Sequence, residues 1–85
     1  MDGRTIDEAI LDLTRRRGPD KTVCPSEVAR HLSPDDWRPL MASVRERART
    51  LARARRIEIT QRSEAVDPDA QWRGPIRLRW RREDD

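Results

Sequence analysis

An α+β domain, three helices followed by a two-stranded antiparallel hairpin, is what this 85-residue sequence predicts. Three observations carry that prediction. Apolar residues recur at helical spacing from Ile6 to Leu51, the period shortens to two from Ile57 onward, and start and stop signals cut the helical part into three.

Thr5, with Glu8 three residues later, opens a segment in which Ile6, Ala9, Ile10 and Leu13 fall on one face, so a first helix is expected over about residues 5–17, ended by Gly18-Pro19. Asp12 and Arg16 stand four apart on its wet side in the favourable order. A loop follows from Pro19 to Val23. Cys24-Pro25-Ser26-Glu27 then starts a short second helix over about 25–32: proline suits the first helical position, where its missing N–H has no partner, and Glu27 suits the positive first turn. Val28, Ala29 and Leu32 form its apolar edge, and Ser33-Pro34 stops it beside a new start at Asp35-Asp36.

The third helix is expected over about 34–55, interrupted or restarted at Pro39. On a wheel set to zero at Arg38 and advancing ~100° per residue, Leu40, Met41, Val44, Ala48 and Leu51 fall between roughly 200° and 300°. Arg38, Arg45, Arg49, Arg53 and Arg56 fall together on the opposite side, giving the helix one face of guanidinium groups. After Arg56 the alternation Ile57-Glu58-Ile59-Thr60 reads as a strand, about 57–61, and Ile76-Arg77-Leu78-Arg79-Trp80 as its antiparallel partner, about 76–80. Ser63-Glu64, Asp67-Pro68-Asp69 and Gly74-Pro75 supply turns between them, and 81–85 is a polar tail. The expected core contains Ile10, Leu13, Val28, Leu32, Leu40, Val44, Leu51, Ile59, Ile76 and Leu78, with Ile57, Trp37 and Trp80 also inward. Trp72 either covers the apolar edge or forms the tip of the hairpin.

Composition bounds the chain to one domain. Only 34% of residues are hydrophobic and 41% are charged, a balance close to that of disordered chains. Against disorder, 19 basic residues nearly balance 16 acidic ones, so the self-repulsion of such chains is missing. The charge is uneven: residues 1–36 carry net −2, whereas residues 37–63 carry net +6. Cys24 is the sole cysteine, which excludes an internal disulfide and a multi-cysteine zinc site, and neither a signal peptide nor an apolar span is visible. A cytoplasmic protein without membrane contact is expected.

Enzyme chemistry finds little footing. His31 has no serine, cysteine or carboxylate pair spaced to work with it, and no glycine-rich phosphate loop or metal-ligand cluster is present. Cys24 at a helix start reads as a small residue capping a turn, with an enzyme accessory subunit built on its thiol a distant third reading. No catalysis, cofactor or metal is expected.

Three helices and a hairpin, with a short second helix turning into a basic third, is the order of a winged helix-turn-helix domain, whose third helix enters the major groove while the hairpin wing lies on the backbone or minor groove. Arginine grips phosphate or two guanine acceptors at once. Arg38, Arg45, Arg49 and Arg53 are therefore expected at the groove of double-stranded DNA or its phosphates, and Arg56, Arg77 and Arg79 at flanking phosphates. An arginine-rich face is also what a merely solvated surface looks like in an arginine-biased chain, but only Glu46 lies among these arginines to neutralise them. The competing function is a module that docks on an acidic protein surface; oligomeric state is not legible.

The run Val23-Cys24-Pro25-Ser26-Glu27-Val28-Ala29-Arg30, then Trp37-Arg38, Leu40-Met41, Val44-Arg45, Ala48, Leu51-Ala52, Ile57-Glu58-Ile59-Thr60-Gln61 and Gly74-Pro75-Ile76-Arg77-Leu78, resembles the small bacterial family of unknown function DUF3253. The resemblance covers Ile6 to Leu78 and implies a winged-helix domain; it brings no activity, ligand or catalytic residue with it. Transcription regulation, or an accessory role to it, is the expectation that the DNA reading itself supplies. One departure stands out: where the family pattern leads us to expect a glycine ahead of the first strand, this chain has Arg55-Arg56, which predicts a tighter or longer helix end.

Overall fold

The computed structural model describes residues 1–81. Three α-helices, α1 (Gly3–Arg17), α2 (Pro25–Leu32) and α3 (Met41–Arg53), lie against a sheet of four strands, β1 (Thr22–Val23), β2 (Ile57–Gln61), β3 (Glu64–Ala65) and β4 (Arg77–Trp80). The fold is α+β. The sheet order is β1-β4-β2-β3, antiparallel throughout.

The expected two-stranded hairpin is thus corrected to a four-stranded sheet. The pairing of β2 with β4 is as expected, with Ile57 opposite Trp80 and Ile59 opposite Leu78. The loop expected at 19–23 contributes β1, because Thr22-Val23 sends Val23 into the core while pairing with Arg79 and Leu78. Two residues are too few to show a period, so alternation could not reveal this strand. The turn expected at Ser63-Glu64 is a tight reversal in which Arg62 and Ser63 both take positive φ, 51° and 70°, returning the chain as β3.

Helix limits also shift. α1 begins two residues early because Asp2, rather than Thr5, caps it: its carboxylate accepts the Thr5 N–H at 2.9 Å. That bond holds the Asp2 carboxyl below the usual carboxylate range. The expected third helix divides at Pro39, with turns over 34–36, a 3-10 turn at Arg38–Leu40 and α3 only from Met41. At its far end the Arg56 N–H bonds the Leu51 carbonyl at 2.9 Å and the Arg55 N–H the Ala52 carbonyl at 3.0 Å. This is the paired closure that normally uses glycine, yet the left-handed residue is Arg55, φ 62°.

The core joins one face of each helix to the sheet. Ile6, Ile10, Val28, Val44, Leu51, Ile57, Ile59, Ile76 and Leu78 are buried, as is Val23. Leu13, Leu32 and Leu40, expected inside, lie half-buried at its margin, since a domain this small has little interior to offer. Thr14 is buried on α1 without an unmet polar atom, because its hydroxyl donates to the Ile10 carbonyl at 2.7 Å. Arg47, on the core side of α3, reaches α1 and donates twice to Asp7, at 2.8 and 2.7 Å. That carboxylate raises the guanidinium pKa further. Of the tail expected at 81–85, residues 82–85 lie outside the described residues.

Candidate nucleic-acid interface

Two tryptophans organise the arginines of α2 and α3. Trp37, half-buried ahead of the 3-10 turn, carries the Arg30 guanidinium 4.5 Å and the Arg38 guanidinium 4.7 Å from its ring centre. Arg30 closes α2 and Arg38 precedes α3, so the pair brackets the elbow between the two helices. Both are exposed, and neither forms an ion pair among the described residues. Stacking engages the face of a guanidinium and leaves its in-plane N–H groups free to donate.

Trp72 gathers the second group. The loop 66–76 folds back over α3, Trp72 lies against the core margin, and Arg49 stacks on it at 4.1 Å with Arg45 at 5.9 Å. Arg49 also donates to the carbonyls of Pro68 and Ala70, at 2.5 and 3.1 Å, and Arg53 is bonded to the Asp69 carboxylate. The Trp72 indole N–H donates to the Asp67 carbonyl at 2.9 Å. The arginine row read on the third helix is therefore real as a face, but it is the seat of a loop. Arg49 through Nη1 and Arg53 through Nε are bonded to that loop, and Trp72 covers rather than forms a tip.

The remaining expected contacts scatter. Arg77 points across β1, donating to Thr22 Oγ1 at 2.5 Å and to Cys24 Sγ at 2.6 Å, with Glu27 3.9 Å away. Arg79 is tied to Glu58, directly opposite on β2, at 2.9 Å. Arg56 lines a small hollow with Glu8, Leu11, Asp12, Arg15 and Trp80, beside the acidic edge of α1. Of the seven arginines expected to meet DNA, Arg38 and Arg45 are thus brought to the elbow and α3, Arg49 and Arg53 hold the loop, and Arg56, Arg77 and Arg79 serve other neighbours.

Glu27 is the hub at the start of α2. It accepts the Cys24 N–H at 3.1 Å and an Arg17 N–H at 2.7 Å. Partial burial pushes its pKa up, but the Cys24 and Arg17 hydrogen bonds outweigh this and hold the carboxyl below its ordinary value. Among the described residues no group of three or more metal-ligating side chains occurs, and no helix is long and apolar enough to cross a membrane.

A family model described as "Protein of unknown function (DUF3253)" matches residues 3–81, nearly the whole chain. The chain belongs to the DUF3253 family. Among curated proteins, none matches it. In this DUF3253 member helical spacing does not single out Arg30, which sits seven residues before Trp37 across a loop, a distance no periodicity spans. The one signal was composition: an arginine in the last turn of a helix followed by Trp37-Arg38.

Proposed function

We propose that this DUF3253 domain is a winged helix-turn-helix protein that binds double-stranded DNA, in a regulatory or accessory role. The order α1, β1, α2, α3 and then the β2–β3 hairpin and β4 supports that reading of the fold, with Arg62 at the hairpin tip. In such domains the helix before the recognition helix crosses the backbone and the N-terminal residues of the recognition helix meet base edges. Here those positions are Ala42 and Ser43, both exposed, flanked by Arg38 and Arg45.

The observation that carries the proposal is the stacking of Arg30 and Arg38 on Trp37. It fixes two guanidinium groups at the elbow with donors free, which lowers the entropy lost when they grip phosphate. With Arg30, Arg38 and Arg45 each neutralising one phosphate, log affinity should fall with log salt at a slope of about −2.7. Arg38→Ala should flatten that slope by about 0.9 and leave the fold intact. Absence of duplex binding at low salt and ~100 μM protein, where nonspecific binders register, would overturn the reading.

One observation favours the competing function, docking on an acidic protein surface: the loop seated on Arg49 keeps α3 from lying deep in a groove. Heparin separates the two. A DNA binder prefers duplex to heparin at equal charge, whereas a docking module does not.

A further inference from the structure

We infer that a second site, independent of the DNA reading, lies in the cleft between the β2–β3 hairpin and the start of β4, and that it binds a small organic anion carrying a phosphate or carboxylate group. The cleft measures about 740 Å³ and is lined on its polar side by Gln61, Arg62, Arg73 and Arg77. That volume is within the range of small-molecule sites, roughly 300–1,000 Å³. Val66, Pro75 and Ile76 supply apolar wall, with Ile76 buried into the core behind it.

The chain is shaped to bring these arginines together. Arg62 occupies the first position of the two-residue reversal between β2 and β3, and Arg73 arrives from the other side, just before the left-handed Gly74 at φ 82°. The Gln61 amide donates to the carbonyls of Arg73 and Pro75, at 2.8 and 3.3 Å, and so fastens that segment against β2. Among the described residues neither Arg62 nor Arg73 forms an ion pair, and the lining contains one carboxylate, Glu64, against three guanidinium groups. Arg77 already shares Glu27 and Glu64 offsets one further charge, so the cleft keeps a positive excess, carried by Arg62 and Arg73. Like charges held at one cleft favour an anion between them, and an oxyanion can take a planar pair of donors from each. The apolar wall requires that the anion carry an organic body rather than be a bare ion.

Cys24, the sole thiol, also lines the cleft and reports its occupancy. The experiment is calorimetric titration of the full chain with phenyl phosphate, benzoate and inorganic phosphate at low ionic strength, with iodoacetamide alkylation of Cys24 in parallel. We expect saturable binding of phenyl phosphate or benzoate, weaker binding of inorganic phosphate, and slower alkylation when the aryl anion is bound. The ester against the acid decides which oxyanion is preferred. Arg62→Ala combined with Arg73→Ala should weaken binding at least about tenfold. Both side chains are exposed, so the fold should persist, and circular dichroism checks it. No saturation by either aryl anion, equal binding by the double variant, or inorganic phosphate binding as tightly as phenyl phosphate would overturn the inference. Displacement of phenyl phosphate by duplex DNA would also overturn it, by making the cleft part of the DNA face. Duplex binding that survives in the double variant while phenyl phosphate binding is lost supports the cleft as a site of its own.

Discussion

Arg49 separates a structural role from a recognition role. Read on a helical wheel it belongs to a face that grips DNA; in the fold it fastens the loop 66–76 to α3. Replacing it by alanine removes two hydrogen bonds to backbone carbonyls and a stacking contact with Trp72 at 4.1 Å. Its side chain is only 22% exposed, so the Pro68 bond and the stacking contact are partly withdrawn from water. A hydrogen bond contributes about 1 kcal/mol net and a cation–π contact at a part-exposed site about 0.5–1 kcal/mol. The Ala70 bond is exposed and its carbonyl regains water, so it adds little, and the Pro68 bond with the stacking contact sums to about 1.5–2 kcal/mol. Arg49→Ala should therefore cost about 2 kcal/mol, or roughly 8–16 °C in Tm for a domain of this size.

The loss should be uneven. The Trp72 bond to Asp67 and the Arg53 contact with Asp69 are internal to or beside the loop and survive, so the loop should loosen before the core opens. Urea unfolding followed by circular dichroism gives the global cost, and amide exchange over 66–73 gives the local one. Arg49→Lys should recover little, because an ammonium cannot stack and reach both carbonyls. A cost below about 0.5 kcal/mol, with unchanged exchange in the loop, would refute the reasoning and return Arg49 to the pool of free cations.

Leu78→Ala should cost about 2–5 kcal/mol, since the side chain is fully buried in the central strand β4; intact two-state unfolding at wild-type stability would show that the sheet register is wrong. Glu27 gives a pH dependence. Its folded pKa lies below the ordinary 4.5, so its contribution is present above that value and is lost as pH falls through the folded one. Glu27→Gln should accordingly flatten the acid limb of the stability curve below about pH 4.5, measured by urea midpoints at successive pH.

What the sequence revealed follows from what each signal measures. Periodicity reports burial, so it located Ile10, Val28, Val44, Ile59 and Leu78 inside and assigned the alternation at 57–60 to a strand. It fails where an element is too short to repeat its period: β1 and β3 have two residues each. It is also silent on which polar face is covered by a distant loop. The outward face of α3 was correctly outward with respect to the helix, yet the segment 66–73 returns to sit on it, and nothing in the spacing of Arg45, Arg49 and Arg53 encodes the position of Trp72. Arg77 likewise alternates outward from the sheet, where Thr22 and Cys24 meet it from 55 and 53 residues away.

Arg55 is the one place where the sequence departs from its family resemblance and the backbone shows the consequence. A helix that closes through the Arg56 to Leu51 and Arg55 to Ala52 hydrogen bonds needs a left-handed residue at position 55, and this chain meets the need with an arginine at φ 62°. For an L-residue that conformation costs roughly 1–2 kcal/mol relative to the right-handed region, a cost glycine escapes. Glycine also gives the unfolded chain more freedom, which works against folding by roughly 0.4–1 kcal/mol. The difference leaves Arg55→Gly stabilising by about 0.5–1 kcal/mol, readable as a higher urea midpoint at unchanged slope. Arg55 is exposed and forms no ion pair among the described residues, so no contact offsets the gain. Arg55→Ala keeps the Cβ and hence the strain, and should change stability little. If glycine destabilises while alanine does not, the left-handed conformation at position 55 carries no strain for glycine to relieve.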